Sequence, residues 1–245
     1  MRNDAGINGD AQRIEQIAWM LFLKVYDEKE NDWEFNEDGF TSFIPEHCRW
    51  RNWAKDSGNG EALTADGLLK FVNDTLFPTL KGLEVTPSTP MRNAIVRTTF
   101  EDANQYMKDG VLLRQIINVI DQLDLGNYEE SHAFGEIYES ILKEMQPAGS
   151  AGEFYTPRAL TDFMAEIICP KVGEKMADFA CGTGGFITSW LKALDKKVHT
   201  AEDKEEYAKS VYGIEKKQFP YMLCVTNMLL HDIDSPKVMH DNSLT

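Results

Sequence analysis

The sequence predicts two domains: a helical N-terminal domain over residues 1–147, and an α/β domain over residues 148–245 that is built on a mostly parallel sheet. The first observation behind this is that apolar residues recur at helical spacing up to about residue 147, with no convincing strand. The second is a change of character at PAGSAG, residues 147–152, which is typical of a small-residue linker. Beyond the linker, short apolar runs alternate with helical patterns, and this alternation is typical of a doubly wound parallel sheet.

Helical patterns account for most of the N-terminal domain. Residues 12–29 predict an amphipathic helix whose apolar face carries Ile14, Ile17, Ala18, Leu21, Phe22 and Val25. An irregular segment rich in aromatic and acidic residues follows at 30–60. A further helix is predicted within 64–83 and should stop near Pro78 and Gly82. Residues 91–123 predict one or two helices, with Asp109-Gly110 as a turn or helix start. Residues 131–146 predict one more helix.

Trp50, Arg51 and Trp53 stand close together within the irregular segment. Such aromatic and guanidinium planes can stack on nucleic acid bases. Their surroundings are acidic, however, which disfavours contact with a polyanion. We therefore favour packing in the core or at an interface.

The elements of the α/β domain follow in order. Strands are predicted at 175–180 and 210–215, and a third within 237–244, because each is a short apolar run between turn-forming or polar residues. Helical patterns at 184–195 and 220–233 separate them.

Composition and charge restrict the classes of partner. The chain carries 25 basic and 40 acidic side chains, a net charge of −15, whereas a protein that binds DNA alone usually presents a basic surface. If nucleic acid is involved, another subunit or an absent segment must supply much of the positive charge. The four cysteines are far apart and form no CxxC pair, which disfavours a disulfide framework or a zinc site and favours a cytoplasmic protein. No apolar run approaches the length of a membrane span.

The stretch KMADFACGTGGFITSW, residues 175–190, has the pattern of a ligand-binding turn. Asp178 lies near the end of the first strand, and glycines at 182, 184 and 185 precede a helix whose N-terminal amides can face a ligand. The dinucleotide fingerprint GxGxxG would require a third glycine where Ile187 stands. Two other interpretations of this stretch therefore stay open: a turn that binds a different nucleotide cofactor, and an ordinary tight strand–helix turn.

Glu215 closes the second predicted strand. An acidic residue at that position commonly accepts hydrogen bonds from both hydroxyls of a ribose, which nicotinamide cofactors and S-adenosylmethionine share. The residue alone therefore does not distinguish these cofactors, and a solvated charge beside Lys216 and Lys217 is the alternative.

The segment GEFYTPRAL, residues 152–160, stands between the linker and the first strand. Thr156 is a natural N-cap and Pro157 suits the first position of a helix. A helix start accounts for these two residues, but not for the preceding Glu153-Phe154-Tyr155.

The order of these motifs resembles a known family. AGEFYTPR, about 20 residues before DFACGTGGF, is similar to motif X followed by motif I of N6-adenine DNA methyltransferases in their gamma arrangement. With FGEIYESILKEM before motif X and NMLLHDID after the second strand, the chain resembles the modification subunit of type I restriction–modification systems. DNSL, residues 241–244, resembles motif III.

The resemblance implies an incomplete Rossmann-like methyltransferase domain that binds S-adenosyl-L-methionine. The cofactor-binding residues that it implies are Glu153, Phe154, Tyr155, Thr156, Pro157, Arg158, Asp178, Ala180, Gly182, Thr183, Gly184, Gly185, Glu215 and Asn242. The partners that it implies are DNA, a specificity subunit, a restriction (endonuclease/translocase) subunit and a second modification subunit. We predict neither a membrane contact nor a metal site.

One departure from the family concerns the catalytic motif. These enzymes use Asn-Pro-Pro-aromatic to accept the protons of the adenine amine and to stack on the flipped base, and the sequence contains no such motif. The family places it shortly after motif III, so we expect an N-terminal fragment that contains no catalytic residues and is inactive alone. A nicotinamide-dependent oxidoreductase and a non-catalytic regulatory or assembly module are the alternatives.

Overall fold

The computed structural model describes residues 1–56, 62–123, 125 and 156–244. The chain divides into two compact units, Met1–Tyr128 and Glu129–Thr245, each with its own set of elements. The helix predicted at 131–146, the linker and the predicted domain boundary at 147/148 lie outside the described residues, so they remain predictions.

The regular secondary structure of the first unit is all helical within its described residues, as predicted. Its elements are α1 (Gly9–Asn36), a 3₁₀ turn (Glu46–Cys48), α2 (Trp50–Trp53), α3 (Ala65–Phe71), a π-helical stretch (Val72–Leu76), α4 (Phe77–Lys81), α5 (Met91–Phe100) and α6 (Gly110–Asp121). None of the helices among the described residues of either unit combines the length and apolarity that crossing a bilayer requires.

Helix α1 differs from the prediction in length and in burial. It continues to Asn36, so the first seven residues of the segment predicted to be irregular are helical. All residues from 18 to 27 are buried, whereas the predicted face covered one side only. The reason is tertiary: Trp19 packs edge-on against Phe77 of α4 at 5.2 Å, and Phe22 packs against Phe100 of α5 at 6.1 Å. Helices therefore cover α1 on more than one side, and polar residues within it are buried as well.

The helical run at 65–81 passes through Pro78 and ends at Gly82, where the Gly82 amide donates to the Pro78 carbonyl at 3.0 Å. A proline inside a helix lacks an N–H group, and its ring collides with the carbonyl four residues earlier, here that of Asp74. The π-helical stretch contains this residue, and its wider turn accommodates the ring. Pro78 therefore changes the helix locally instead of stopping it.

Helix α6 begins where the Asp109-Gly110 pair indicated. The Asp109 carboxylate caps it by accepting from the backbone N–H groups of Val111 at 2.9 Å and Leu112 at 3.0 Å. This cap satisfies two amides that have no partner within the helix.

Trp50 and Trp53 lie in the core, with exposures of 1% and 4%. Their rings meet edge-on at 5.2 Å, and the Trp50 indole N–H donates to Asp121 Oδ1 at 2.8 Å. Arg51 pairs with Asp27 of α1, with 3.0 Å between Nε and Oδ1. The packing interpretation of this segment is confirmed, because the two rings are not accessible to a nucleic acid.

The second unit contains a three-stranded parallel sheet flanked by helices. Its described elements are α7 (Arg158–Ile168), β1 (Met176–Asp178), α8 (Gly185–Asp195), α9 (Ala201–Ala208), β2 (Val211–Glu215), α10 (Gln218–Leu230) and β3 (Val238–His240). The strand order is β1-β2-β3, with Asp178 aligned to Gly213 and Glu215 aligned to His240. The alternation of strands and helices and all three predicted strands are confirmed.

Helix α7 begins one residue later than predicted. Pro157, with ψ 134°, occupies the N-cap position in place of Thr156, and Arg158 is the first helical residue. Arg158 therefore lies on the first turn of α7.

Candidate functional site

A cavity of about 250 Å³ lies at the carboxyl ends of β1 and β2, entirely within the second unit. Ligands of open parallel sheets bind at this edge, where loops and helix N-termini converge. The lining residues are Thr156, Arg158, Thr161, Asp178, Ala180, Cys181, Gly182, Thr183, Gly185, Phe186, Glu215, Lys217 and Pro220.

The glycine turn between β1 and α8 forms one wall of the cavity. Gly182 and Gly184 have φ of +55° and +83°, which only glycine adopts without strain. The Gly184 amide donates to the Cys181 carbonyl at 2.8 Å and closes the turn. A Cβ at Gly184 would lie 2.9 Å from Cys224 Sγ of α10, below normal contact distance. Backbone conformation and packing therefore both require glycine at 184.

Glu215, at the end of β2, connects the strand to the glycine turn. Its Oε2 accepts from the Gly182 amide at 2.8 Å, and its Oε1 accepts from the Lys217 amide at 2.7 Å. A carboxylate has about four lone-pair sites, so these two bonds leave acceptor capacity for a ligand. The interpretation of Glu215 as a solvated charge is therefore incomplete, because the side chain also holds the turn in place.

Asp178, at the end of β1, is a half-buried second carboxylate in the cavity wall. Its Oδ1 accepts from the Ala180 amide at 3.1 Å. Burial raises the pKa of Asp178, and the negative charge of Glu215 raises it further, while the bond from Ala180 opposes this. Two neighbouring carboxylates favour a positively charged group between them.

Arg158 is the buried cation of the cavity wall, with an exposure of 6%. Its Nη2 donates to Thr183 Oγ1 at 3.3 Å, and a Cβ at Gly185 would lie 1.8 Å from its Nη1. The guanidinium thus lies directly on the first turn of α8. The absence of a side chain at Gly185 makes this approach possible.

A buried hydroxyl pair fixes α7 against α8. Ser189 Oγ lies 2.8 Å from Thr161 Oγ1 and 2.5 Å from Asp162 Oδ1. Thr161 stands one turn after Arg158 on the same face of α7, and its hydroxyl donates to the Arg158 carbonyl at 3.0 Å. These contacts hold the first turn of α7, and with it the guanidinium, over the glycine turn.

The cavity brings together most of the described residues that the sequence identified as cofactor-binding. Eight of them line it: Thr156, Arg158, Asp178, Ala180, Gly182, Thr183, Gly185 and Glu215. Pro157, Gly184 and Asn242 are not part of the lining, while Glu153, Phe154 and Tyr155 lie outside the described residues.

Asn242 follows β3, close to the end of β2. The preceding residue, Asp241, donates its amide to the Glu215 carbonyl at 3.1 Å, which anchors the segment next to the site. Asn242 Oδ1 accepts from the Leu244 amide at 3.3 Å. Its contact with a cofactor remains a prediction.

Sequence reasoning did not select five of the lining residues. They are Thr161, Cys181, Phe186, Lys217 and Pro220. Their position in the sequence could have indicated three of them. Thr161 follows Arg158 by one helical turn, and Lys217 and Pro220 come soon after Glu215.

A parallel sheet with a glycine turn after its first strand and an acidic residue at the end of its second defines a Rossmann-like nucleotide-binding domain. Here it follows a helical N-terminal unit. A family model described as N-6 DNA Methylase matches residues 129–245, and one described as HsdM N-terminal domain matches residues 1–120.

Three relatives match this chain over both of its units. The chain is 50% identical to the methylase subunit of the type I restriction enzyme EcoEI from Escherichia coli, over all of this chain and 50% of that subunit. A crystal structure of a modification subunit of a putative type I restriction enzyme from Vibrio vulnificus superposes with a TM-score of 0.80 at 34% identity, over 100% of this chain and 53% of that one. A structure from a study of complex assembly in a type I restriction–modification system gives 0.85 at 32% identity, over 99% and 48%. The chain belongs to the family of type I modification subunits, and it spans about half the length of these relatives.

Proposed function

We propose that this chain is the cofactor-binding part of a DNA methyltransferase that transfers a methyl group from S-adenosyl-L-methionine to the N6 atom of adenine. The observation that carries the proposal is the cavity at the ends of β1 and β2, where the glycine turn, Glu215 and Arg158 meet. It offers backbone amides, acceptors and a cation to one ligand. These are the groups that an amino acid joined to a nucleoside requires.

The cavity residues take distinct positions around such a ligand. The turn Gly182–Gly185 would hold the amino acid end, since its backbone is bare and the N-terminus of α8 follows. The remaining lone pairs of Glu215 would accept from the ribose hydroxyls. The bound cofactor supplies an electrophilic methyl group on a sulfonium, and the two carboxylates, Asp178 and Glu215, favour positive charge nearby.

The catalytic step requires residues that this chain does not contain. Nothing in its 245 residues matches Asn-Pro-Pro-aromatic, and the chain spans about half the length of its relatives. On this proposal the chain alone binds the cofactor but does not methylate adenine. Its residues orient the methyl donor for a reaction completed by other parts of the protein.

Recognition of DNA is proposed to reside in other subunits. The net charge of −15 disfavours binding of DNA by this chain alone, because neutralisation of phosphates supplies most non-specific affinity. We propose assembly with a specificity subunit, a restriction subunit and a second modification subunit. The helical first unit is the candidate for docking these partners or for clamping DNA.

Calorimetric titration tests the cofactor assignment. S-adenosylmethionine should bind the purified chain, NAD should not, and Glu215→Ala should weaken binding by ~10-fold or more because a charged hydrogen-bond acceptor is removed. Glu205→Ala is the matched control, since Glu205 is an exposed acidic residue of α9 that does not line the cavity. Binding of NAD in preference to S-adenosylmethionine would support the oxidoreductase instead.

A further inference from the structure

Two thiols of the second unit lie in contact beside the cavity. Cys181 belongs to the glycine turn and Cys224 to the middle of α10, and their Sγ atoms are 3.9 Å apart. Both side chains are buried, and neither is part of a disulfide. A disulfide holds its sulfur atoms at about 2.05 Å, so a movement of about 2 Å would join this pair. The sequence gave no sign of the contact, because 43 residues separate the two cysteines.

Two glycines leave the space that the sulfur atoms occupy. A Cβ at Gly213, in β2, would lie 3.0 Å from Cys181 Sγ, and a Cβ at Gly184 would lie 2.9 Å from Cys224 Sγ. Glycine inside a strand weakens it and often marks a place where another group approaches closely. At Gly213 that group is a thiol. The packing of β2, the glycine turn and α10 therefore keeps the two sulfur atoms side by side.

The two thiols differ in their access to solvent. Cys181 lines the cavity and retains 5% exposure, whereas Cys224 has no exposed surface. The hydrogen bond with Cys181 raises the pKa of Cys224 well above its usual range, and burial raises it further. Because the thiolate is the reactive form, Cys224 is the poorer nucleophile towards a reagent from solvent. A small oxidant that enters the cavity therefore reacts at Cys181 first.

We propose that Cys181 and Cys224 form an oxidative modification site, which a hydroperoxide converts into a disulfide when the cavity is empty. The Cys181 sulfur attacks a peroxide oxygen, the O–O bond breaks, and the thiol proton leaves with the second oxygen as water, so that Cys181 becomes a sulfenic acid. The Cys224 sulfur then bonds to the Cys181 sulfur and displaces the hydroxyl, which leaves as water with the Cys224 proton. The thiols lose two electrons in total, and the peroxide gains them.

The disulfide joins the glycine turn to α10 and thereby fixes one wall of the cavity. The same turn is already held on its other side, where the Gly182 amide donates to Glu215. A ligand that fills the cavity covers the route to Cys181 and protects the pair from oxidation. This protection rests on the proposed function, because S-adenosylmethionine is taken as the ligand, whereas the disulfide itself does not depend on it.

The test counts free thiols after oxidation. The exposed Cys169 is first replaced, and Cys169→Ser leaves three of the four thiols of the 245-residue chain. The purified protein is treated with hydrogen peroxide, denatured and labelled with N-ethylmaleimide. Mass spectrometry should find one label, at Cys48, and a chain about 2 Da lighter before labelling because two hydrogen atoms have left. Dithiothreitol should restore all three labels, and peptide mapping should find Cys181 joined to Cys224.

Two variants in the same background separate the two steps. Cys224→Ala should stop the reaction at the sulfenic acid of Cys181, which dimedone traps, whereas Cys181→Ala should leave Cys224 as a free thiol. Far-ultraviolet circular dichroism checks that each variant is folded. Mapping of the joined peptides in the Cys169→Ser chain needs neither variant, so it decides the question even if one of them does not fold.

The cofactor arm measures the rate of disulfide formation. S-adenosylmethionine at ten times its Kd, determined by calorimetry on the same chain, should slow the reaction by ~10-fold, because only about a tenth of the molecules then have an empty cavity.

Each result supports or overturns a separate statement. Three free thiols after a treatment that oxidises Cys169 in the unsubstituted chain would overturn the modification site. Conversion of Cys181 to a sulfinic acid with Cys224 still free would overturn it as well. An unchanged rate in a chain that binds S-adenosylmethionine would overturn protection through the cavity. A chain that forms the disulfide but does not bind S-adenosylmethionine would overturn the proposed function and leave the modification site standing.

Discussion

Replacing Gly184 by alanine should have two separate costs, one from the backbone conformation and one from packing. The positive φ of +83° costs an alanine about 1–2 kcal/mol. The new Cβ would also lie 2.9 Å from Cys224 Sγ, well inside a normal contact of about 3.5–4.0 Å, and overpacking of this kind typically costs about 1–3 kcal/mol. We therefore expect Gly184→Ala to lower the free energy of unfolding by about 2–5 kcal/mol, measured by urea denaturation with circular dichroism.

Two further variants assign the parts of this loss. Gly173 has φ of +91°, and no atom lies within 4 Å of the position that a Cβ would take there, so Gly173→Ala should show the backbone cost alone, about 1–2 kcal/mol. Adding Cys224→Ala to Gly184→Ala removes the colliding sulfur, and the double-mutant cycle should recover about 1–3 kcal/mol. Additive effects of the two substitutions would show that no collision occurs, and a loss no larger than that of Gly173→Ala would refute the same reasoning.

Two further predictions concern the first unit. Asp109→Ala should lower the free energy of unfolding by about 1 kcal/mol, because it removes the N-cap of α6, and Asp109→Asn should restore most of it if capping is the cause. Burial raises the pKa of Glu30 to about 7, against its hydrogen bond from Ser42 and the charge of Arg49, so the protonated form favours folding. The contribution of Glu30 to the free energy of unfolding should be constant below pH 4.5, fall by about 3 kcal/mol between pH 4.5 and 7, and level off above. Glu30→Gln should remove this dependence from urea denaturation curves, and an unchanged pH profile in that variant would show that another group is responsible.

Local sequence signals were sufficient wherever a structural requirement is local. The strands β1, β2 and β3 are short apolar runs bounded by turn residues, and all three were predicted. Asp109 was identified at the start of a helix because a cap acts on amides only two and three residues further along. The glycines at 182 and 184 were identified as part of a ligand-binding turn, and the positive φ that both adopt is a requirement of the turn itself.

Prediction from the sequence was less complete where tertiary packing determines the burial or the length of a helix. The pattern of α1 suggested one apolar face. Phe100 packs on Phe22 of that face, but Phe77 covers Trp19 outside it, so the burial of residues 18–27 depends on residues more than 50 positions away. Pro78 is a stop signal for an isolated helix, yet here the chain passes it with a π-helical stretch. Packing of an aromatic core outweighs local propensity in both cases.

At the site, the sequence by itself determined which chemical groups are present: a glycine turn after β1, an acid at the end of β2 and an arginine at the start of α7. Only the tertiary structure decided what these groups do to one another. Glu215 accepts a hydrogen bond from the amide of Gly182, 33 residues away in sequence. Arg158, at the start of α7, lies over Gly185, at the start of α8. Such contacts depend on the register of the strands and on the distance between the two helices. The residues on one side of a contact do not determine either quantity by themselves.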